Sequence, residues 1–400
     1  MKIRELKLKN YRNCQNLELD LDSKKVLIIG KNAQGKTNIL ESIYFLSTLK
    51  SPRTSNNLEL INFEANNCEI NANVEKLDVD IELDFNYDKE KTREIKVNKL
   101  KTRPKEFKKV FSTVLFSTQD LLLLRGTPQD RRDWLDAAIS QIYPAYDERL
   151  SKYNKIRIQK NNLLKEGSIN ETLLEVYNEQ LTILGSNIIY LRKKFLKEME
   201  KLAQEKHSAI SESETLTVIY DCNFWEDYPP PLSTQSDKPI PSLVRLASSP
   251  TRGFAARGEE DQQFFNFGVE QISEQFKKKL EERKKEEIIR GQTLVGPHRD
   301  DIIFYINNQE STKFASQGQQ RTIVLSLKLA ELDIITQKTG EPPVLLLDDV
   351  LAELDDVRQN YLLKTIDNNT QTIITSVDTL LFDEKFLEGV MIYRVSEGKI

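Results

Sequence analysis

An eight-residue segment near the N-terminus has the residue types and the spacing that bind phosphate. It reads Gly30-Lys31-Asn32-Ala33-Gln34-Gly35-Lys36-Thr37 and fits the pattern G-x-x-x-x-G-K-[ST] in full. The glycines let the backbone curl so that its N–H groups point inward at phosphate oxygens. The lysine reaches the β- and γ-phosphates, and the threonine hydroxyl binds Mg²⁺. The eight residues are therefore predicted to bind a nucleoside triphosphate, with Lys36 as a catalytic residue.

Two carboxylates follow an apolar run near the C-terminus. Residues 344–347 are Val-Leu-Leu-Leu, which is typical of a strand buried on both faces of a sheet. Such a strand delivers Asp348 and Asp349 at its C-terminal end, where ligands of open α/β sheets bind. We expect Asp348 to hold Mg²⁺ together with Thr37, and Asp349 to orient or polarise the attacking water. Without the phosphate loop, a buried strand that meets a solvated turn would explain these residues equally well.

A phosphate loop joins a strand to a helix, and the segments on either side of this one have those two patterns. Residues 25–29 form a short apolar run that predicts a buried strand. After the loop, apolar residues recur at helical spacing from Ile39 to Leu46, with no Gly or Pro before Pro52. This order places the loop at a helix N-terminus, whose partial positive charge favours phosphate.

A third segment, Ser316-Gln317-Gly318-Gln319-Gln320-Arg321, precedes a run that favours a helix over residues 322–332. Ser, Gly and amide side chains at the start of a helix form another anion site. Taken alone, the segment is best explained as an ordinary capped helix. A single nucleotide site within one chain does not explain this segment. The segment therefore implies a second subunit.

The order of these segments resembles the ATP-binding-cassette heads of the SMC type, and more closely the RecF family of bacterial recombination mediators. The matching stretches span nearly the whole chain; they are Lys9–Asn13, Asp120-Leu121, Gly126–Arg132 with Asp136, Val295–Asp301 and Leu347–Asp356. The resemblance implies an α/β fold: a P-loop ABC-type ATPase head of mixed sheets and helices, with an inserted α-helical lobe.

The resemblance also implies how the site is completed. In such heads the signature serine and glycine of one subunit complete the ATP site of another. By this likeness Ser316, Gly318, Gln319 and Arg12 are expected to contact ATP, and Gln119 to serve Mg²⁺ beside Thr37 and Asp348. The expected cofactors are ATP and Mg²⁺, and the expected assembly is an ATP-dependent homodimer.

The function implied by the resemblance is recombinational repair, replication-fork recovery and the SOS response. The dimer would bind single-stranded DNA, linear double-stranded DNA and junctions, and would help to load the recombinase RecA through the partners RecO and RecR. Transport-type cassettes carry a glutamate at the position of Asp349 and a switch histidine where this chain has the hydroxyls of residues 375–376. Both departures suggest slow hydrolysis, and the resemblance implies a weak ATPase that DNA stimulates.

Composition limits the class of protein. The chain has 400 residues, of which 38% are hydrophobic and 30% charged, and contains no apolar run long enough to cross a bilayer. Cys14, Cys68 and Cys222 match no metal or redox spacing, so a reduced cytoplasmic location fits best. The net charge of −4 means that any contact with DNA must come from a local basic patch.

The predicted organisation is one head made of two segments, 1–130 and 291–400, with residues 131–290 as the inserted lobe. Within the head we expect a hairpin over the first 20 residues, three strands between residues 68 and 97, and a strand at 109–116. Within the lobe we expect two antiparallel helices with a narrow apolar seam, a Pro- and Ser-rich flexible segment at about 228–262, and a helix at 276–290.

Two groups of basic residues are candidates for DNA contact: Arg131 with Arg132 at a predicted helix start, and the run Lys99, Lys101, Arg103, Lys105, Lys108 and Lys109. Such runs are usually solvated faces. Three other functions stay open: a different SMC-like repair or defence ATPase, the cytoplasmic ATPase subunit of a transporter, and a DNA-binding structural protein with a vestigial site.

Overall fold

The computed structural model describes residues 1–166, 168–224, 257–366 and 369–400, without the side chains of Leu122 and residues 257–267. The strands are β1 (Lys2–Tyr11), β2 (Cys14–Asp20), β3 (Lys25–Ile29), β4 (Asn67–Lys76), β5 (Val79–Asp88), β6 (Arg93–Val97), β7 (Leu100–Lys101), β8 (Thr113–Ser117), β9 (Leu216–Asp221), β10 (Asp301–Ile306), β11 (Gln309–Glu310), β12 (Val344–Asp348), β13 (Thr372–Ser376) and β14 (Met391–Arg394). The helices are α1 (Lys36–Thr48), α2 (Pro104–Lys108), α3 (Pro128–Ile142), α4 (Pro144–Leu163), α5 (Glu171–Ile210), α6 (Arg257–Glu282), α7 (Lys284–Arg290), α8 (Ser311–Phe314), α9 (Gln317–Thr339), α10 (Asp356–Thr365) and α11 (Glu384–Leu387).

The chain divides into two compact units. The first contains Met1–Ala145, Glu198–Leu216 and Ala315–Ile400, and the second contains Tyr146–Lys197 and Thr217–Phe314. The mixed α/β fold with a helical insertion is confirmed. The domain boundaries drawn from the sequence stay a prediction, and they differ from these units at residues 131–145, 198–216 and 291–314.

A parallel sheet in the first unit carries the phosphate loop. Its strand order is β14-β3-β13-β12-β8, and all four neighbouring pairs run parallel. The three central strands are almost wholly buried, as expected from their continuous apolar sequences. The strand predicted before the phosphate loop, the helix predicted after it and the strand predicted before Asp348 are confirmed.

An antiparallel sheet in the same unit has the order β2-β1-β4-β5-β6-β7. It contains the predicted N-terminal hairpin and the three predicted strands that follow α1. The side chains of α1 are buried on almost every side, and its apolar residues share one core with both sheets. A helix that is buried on all sides lies between two layers of structure. The packing of both sheets against α1 therefore fixes the position of Lys36 at its start.

The strand predicted at 109–116 is shorter than expected. Its first residue, Lys109, is instead the C-cap of the short helix α2, and β8 begins only at Thr113. Pro104 at the first position of α2 favours this helix start, and Phe107 is buried on its inner side. The predicted strand therefore loses its first four residues to the end of α2 and the loop that follows it.

The second unit contains α4, most of α5, α6, α7 and a three-stranded sheet of order β11-β10-β9. The two helices of the predicted seam are confirmed, and α5 continues to Ile210, beyond the expected seam. The helix predicted at 276–290 is instead the end of α6 and a separate helix, α7, divided at Arg283. Seam residues Leu181, Ile188 and Phe195 are buried. Most of the segment predicted to be flexible, up to residue 256, lies outside the described residues, and α6 begins at Arg257.

In the part of the chain that the structure describes, none of the helices combines the length and the apolar character that a membrane span requires.

Candidate nucleotide-binding site

The carboxyl ends of four parallel strands meet at the phosphate loop. The pairing register places Asp348 of β12 beside Thr375 of β13 on one side and Ser117 of β8 on the other. Ile29 of β3 lies beside Ser376, and the next residue, Gly30, donates its N–H to the Ser376 carbonyl at 3.2 Å. The register therefore brings the two distant sequence segments together at one edge of the sheet, as predicted.

The phosphate loop is wrapped around the Lys36 ammonium group. Lys36 Nζ donates to the Gly30 carbonyl at 2.8 Å and lies 3.7 Å from Asp349 Oδ2. Gly35 has a φ of 110°, which favours glycine. Its backbone is at the N-cap of α1, so the loop ends at the positive end of a buried helix.

Thr37 and Asp348 are in direct contact. Thr37 Oγ1 donates to Asp348 Oδ1 at 3.0 Å, and Thr375 Oγ1 donates to the same oxygen at 2.8 Å. Burial raises the pKa of Asp348, while these two hydroxyls act against the rise. Mg²⁺ at nucleotide sites takes oxygen ligands from one or two side chains plus phosphates and water. The hydroxyl and carboxylate oxygens of Thr37 and Asp348 fit that donor set.

Asp349 is held by its backbone. Its φ is 51°, a left-handed conformation that Asp tolerates better than most residues. Its N–H donates to Thr375 Oγ1 at 2.9 Å. Its side chain is one-third exposed on the Lys36 side of the loop. A carboxylate in this position can accept a hydrogen bond from water, and the catalytic role predicted for it stays a prediction.

Arg12 is paired with a buried carboxylate. Its Nε and Nη2 donate to Glu41 at 3.1 and 2.8 Å, and Nη1 donates to the Glu59 carbonyl at 2.8 Å. Arg53 and Ser51 also bind Glu41, and these hydrogen bonds outweigh burial, so that the pKa of Glu41 is lowered. The structure thus assigns Arg12 an ion pair with α1, and its contact with ATP stays a prediction.

The signature segment begins α9 and faces solvent. Ser316 is the N-cap, and it exchanges two hydrogen bonds with Gln319 in a capping box. Ser316 and Gln317 are exposed, and Gly318 is half-buried beside Arg358. Gln319 also donates to Glu214 at 2.8 Å. The serine is therefore open to a neighbouring molecule, although an ordinary cap explains its internal bonds.

Gln119 is placed at a different edge of the site. It is exposed at the N-cap of a short 3₁₀ helix, Asp120–Leu122, and lines a cavity of about 290 Å³ with Gln317, Gln320 and Arg321. No hydrogen bond joins it to Thr37 or Asp348 among the described residues. The contact between Gln119 and Mg²⁺ stays a prediction.

Sequence reasoning gave no role to two residues that support the site. Thr375 bridges Asp348 and Asp349, and Asn13 donates to the Gln34 carbonyl at 3.3 Å and accepts from Asn38 at 2.7 Å. The signals for both were present, as a hydroxyl at the end of β13 and an Asn after the first strand. A Thr at the end of a strand and an Asn after a strand are both common, so neither residue by itself indicates a functional role.

The two basic groups differ in exposure. Lys101 is exposed on β7, the edge strand of the antiparallel sheet, and Arg103 and Lys105 are exposed at the N-cap and in the first turn of α2. Arg131 and Arg132 are instead buried, and they donate to the Gly126 carbonyl and to Gln129. Burial of the Arg131–Arg132 pair makes it a less suitable contact for a phosphate backbone than the exposed group, and its contact with DNA stays a prediction.

Comparison with known proteins agrees with the geometry. A family model described as the RecF/RecN/SMC N-terminal domain matches residues 2–399. A DNA replication and repair protein RecF from an Exiguobacterium species is 37% identical over 405 residues, which cover 100% of this chain and 99% of the relative. Its counterpart in Bacillus thuringiensis is 37% identical and covers 100% of this chain and 98% of the relative.

Solved structures give the same result. A structure of the recombination mediator protein RecF with ATP has a TM-score of 0.82 and 32% identity, and it covers 99% of this chain and 96% of that chain. An Smc head bound to a domain of ScpA has a TM-score of 0.51 at 12% identity, covering 99% and 95%, which shows the fold alone.

The fold and the site define a P-loop ATPase head of the SMC type. Both the sequence identity and the structural likeness extend over the whole chain. This chain belongs to the RecF family. The membership sets aside the transporter subunit and the other SMC-like repair or defence ATPases.

Proposed function

We propose that this protein is an ATP-gated DNA-binding protein of recombinational repair and replication-fork recovery. The observation that carries the proposal is the contact between Thr37 and Asp348, at 3.0 Å, beneath a complete phosphate loop. A vestigial site would have no reason to retain the loop lysine, the hydroxyl and the carboxylate in one cluster. The relatives that are named as DNA replication and repair proteins support the rest.

The nucleotide acts first as a ligand. The N–H groups of the phosphate loop and Lys36 bind the phosphates, while Thr37 and Asp348 would hold Mg²⁺, which would neutralise phosphate charge. Because Ser316 is exposed at a helix N-terminus, it is free to bind the γ-phosphate of ATP that a second copy holds. A ligand that binds both copies shifts the equilibrium from monomers to dimers.

Hydrolysis then reverses the shift. Asp349 orients the attacking water from the Lys36 side, and loss of the γ-phosphate removes the contact to the partner's Ser316. An aspartate is shorter than a glutamate and holds water less well, so we propose a weak ATPase that DNA stimulates. Slow hydrolysis suits a clamp that must stay closed while other proteins act.

The ATP-bound dimer binds single-stranded DNA, linear double-stranded DNA and junctions. The exposed basic patch of Lys101, Arg103 and Lys105 is the proposed phosphate contact. By the likeness to a mediator of the RecFOR pathway, the bound dimer recruits RecR and RecO and helps to load a recombinase, in recombination and in the SOS response. The buried thiols of Cys14, Cys68 and Cys222 support a reducing location, the cytoplasm.

The test is the nucleotide dependence of DNA binding. Fluorescence anisotropy of a labelled duplex with a single-stranded overhang would be measured with Mg²⁺ and ATP, ADP or no nucleotide. Tight binding is expected only with ATP, and Lys36→Met should abolish the increase, whereas Lys152→Met on exposed α4 should not. Equal affinity in all three nucleotide states would overturn the proposal, as would release of phosphate that DNA does not accelerate.

A further inference from the structure

A turn that follows β14 holds the phosphate loop from outside. Its residues Glu397 and Gly398 have positive φ values of 51° and 74°. The N–H of Gly398 donates to the Gln34 carbonyl at 2.8 Å, and the N–H of Glu397 donates to Gln34 Oε1 at 2.6 Å. The turn therefore binds both the backbone and the side-chain acceptor of one residue of the phosphate loop.

The turn packs backbone against backbone on Asn13, and Val395, just before the turn, packs in the same way on the phosphate loop. A Cβ at Gly398 would lie 2.4 Å from the Asn13 carbonyl oxygen, and a Cβ at Gly30 would lie 2.4 Å from the Val395 carbonyl oxygen. Upstream of the turn, the Val395 N–H donates to the Ile29 carbonyl at 2.8 Å. No side chain can rotate away to relieve contacts of this kind, so the position of the turn and the position of the loop are coupled.

The hydrogen bond to Gln34 has a consequence for the next residue. A trans peptide is planar, and its C=O and N–H point in opposite directions. When the turn holds the Gln34 carbonyl outward, the N–H of Gly35 is directed inward, to the side where the loop binds phosphate. A loop that is already in this orientation loses less conformational entropy when the nucleotide binds.

We propose that the turn formed by residues 396–399 is a positioning element that sets the nucleotide affinity of the phosphate loop through Gln34. The inference rests on the proposed nucleotide-binding function of the loop and extends it to residues that no phosphate-loop pattern contains. The ligand class is the diphosphate group that ATP and ADP share, because loop amides bind the phosphates common to both.

The chain offers a matched pair of glycines for the test. Gly398 and Gly389 both have a φ of 74°, so alanine introduces the same backbone strain at either position. A Cβ at Gly389 meets nothing within 4 Å, whereas a Cβ at Gly398 meets the Asn13 backbone. Only Gly398→Ala should therefore displace the turn.

The experiment measures the Kd of MgATP and MgADP by isothermal titration calorimetry for the wild type, Gly398→Ala and Gly389→Ala. Thermal unfolding without nucleotide records the stability of each variant. We expect Gly398→Ala to weaken both nucleotides by about tenfold and Gly389→Ala to bind as the wild type does. In steady-state hydrolysis the KM should rise by a similar factor while kcat changes less than about twofold.

A second variant tests the route through Gln34. Gln34→Leu keeps the size of the side chain, removes the acceptor of the Glu397 N–H, and should weaken both nucleotides about threefold or more. Wild-type affinity in both Gly398→Ala and Gln34→Leu would overturn this inference alone. If the wild type binds neither nucleotide, the proposed function fails as well.

Discussion

Asp348 is the residue on which the other polar groups of the site converge. It accepts hydrogen bonds from Thr37 and Thr375, and the same Thr375 hydroxyl accepts the Asp349 N–H. The sequence predicted Thr37 and Asp348 because each stands in a pattern whose chemistry is specific. It could not predict Thr375 as a support, since a Thr at a strand end is common and its role arises only from the parallel register.

The hydroxyl of Thr37 should matter only when Mg²⁺ is present. Thr37→Val keeps the shape of the side chain and removes the oxygen that serves the cation and Asp348. We expect the Mg²⁺-dependent gain in ATP affinity to fall about tenfold or more, and ATP binding in EDTA to stay the same. Titration calorimetry measures both. Thr336→Val, which removes a hydroxyl bonded to the Leu332 carbonyl in α9, is the control. An equal loss with and without Mg²⁺ would contradict the assignment.

His207 should make the stability of the protein depend on pH. Burial lowers its pKa; Arg358 acts in the same direction, and Glu214, bonded to Nε2 at 3.1 Å, opposes the shift. His207 Nδ1, which a second proton would occupy, is buried without a hydrogen-bond partner in the described structure. Because the folded pKa lies below the unfolded value of about 6.5, this stability is present above that pH and is lost below it.

Urea unfolding between pH 7.5 and 5.5 measures this effect. The wild type should lose up to about 1.4 kcal/mol per pH unit at the lower end. His207→Gln, which cannot titrate, should show a shallower dependence. Glu214 does not explain a change in this range, since hydrogen bonds from Gln319 and His207 outweigh burial and lower its pKa. Identical slopes for the two proteins would refute the linkage.

At the scale of elements, a buried ion pair ties the segment after β8 to the signature helix. Lys328 of α9 lies 2.8 Å from Asp120 and 3.6 Å from Glu331. Burial alone would lower the pKa of Lys328, but Asp120 and Glu331 raise it, so the ammonium group stays charged. Asp120 also accepts from the Ser117 N–H, at the end of the strand next to β12.

Removal of this lysine should destabilise the fold strongly. Lys328→Met would leave Asp120 and Glu331 without their buried counter-charge, which costs about 3 kcal/mol or more. Chemical denaturation of the nucleotide-free protein measures the loss. Lys152→Met removes an exposed partner of Glu148 and should change stability by less than about 1 kcal/mol. Similar small effects in both variants would show that the pair contributes little.

The sequence predicted elements best where pattern and burial agree. The strands β3 and β12, with continuous apolar runs, and the hairpin of β1 and β2, with alternating residues, formed as expected. The segment from Lys109 to Ser112 did not, because Lys109 caps α2 and the strand begins only at Thr113. The turn at Glu397 and Gly398 could not be foreseen, since its contact with Gln34 joins residues that are 363 positions apart.

At the scale of the whole molecule, charge must be local to attract DNA. The chain carries a net charge of −4, so the patch of Lys101, Arg103 and Lys105 acts against an acidic background. Lys101 is exposed on the edge strand β7, and Arg103 and Lys105 are exposed at the start of α2. Binding to phosphate through such a patch is electrostatic and therefore falls as salt rises.

Charge reversal tests the patch. Lys101→Glu, Arg103→Glu and Lys105→Glu together should weaken duplex binding in ATP at low salt. They should also reduce the slope of log K against log salt by about 0.9 for each DNA phosphate that the protein no longer neutralises. Reversal of exposed Lys89, Lys91 and Lys385 is the control for net charge. If both triple variants behave alike, the effect comes from overall charge and the patch has no special role.

The central claim is that ATP joins two copies of this chain through the phosphate loop of one and Ser316 of the other. Sedimentation velocity with Mg²⁺ and ATP, ADP or no nucleotide tests it most directly, for the wild type, Lys36→Met and Ser316→Arg. We predict dimers only for the wild type with ATP, since each variant removes one side of the shared site. Dimers of Ser316→Arg with ATP, or self-association of the wild type in all three conditions, would contradict the account.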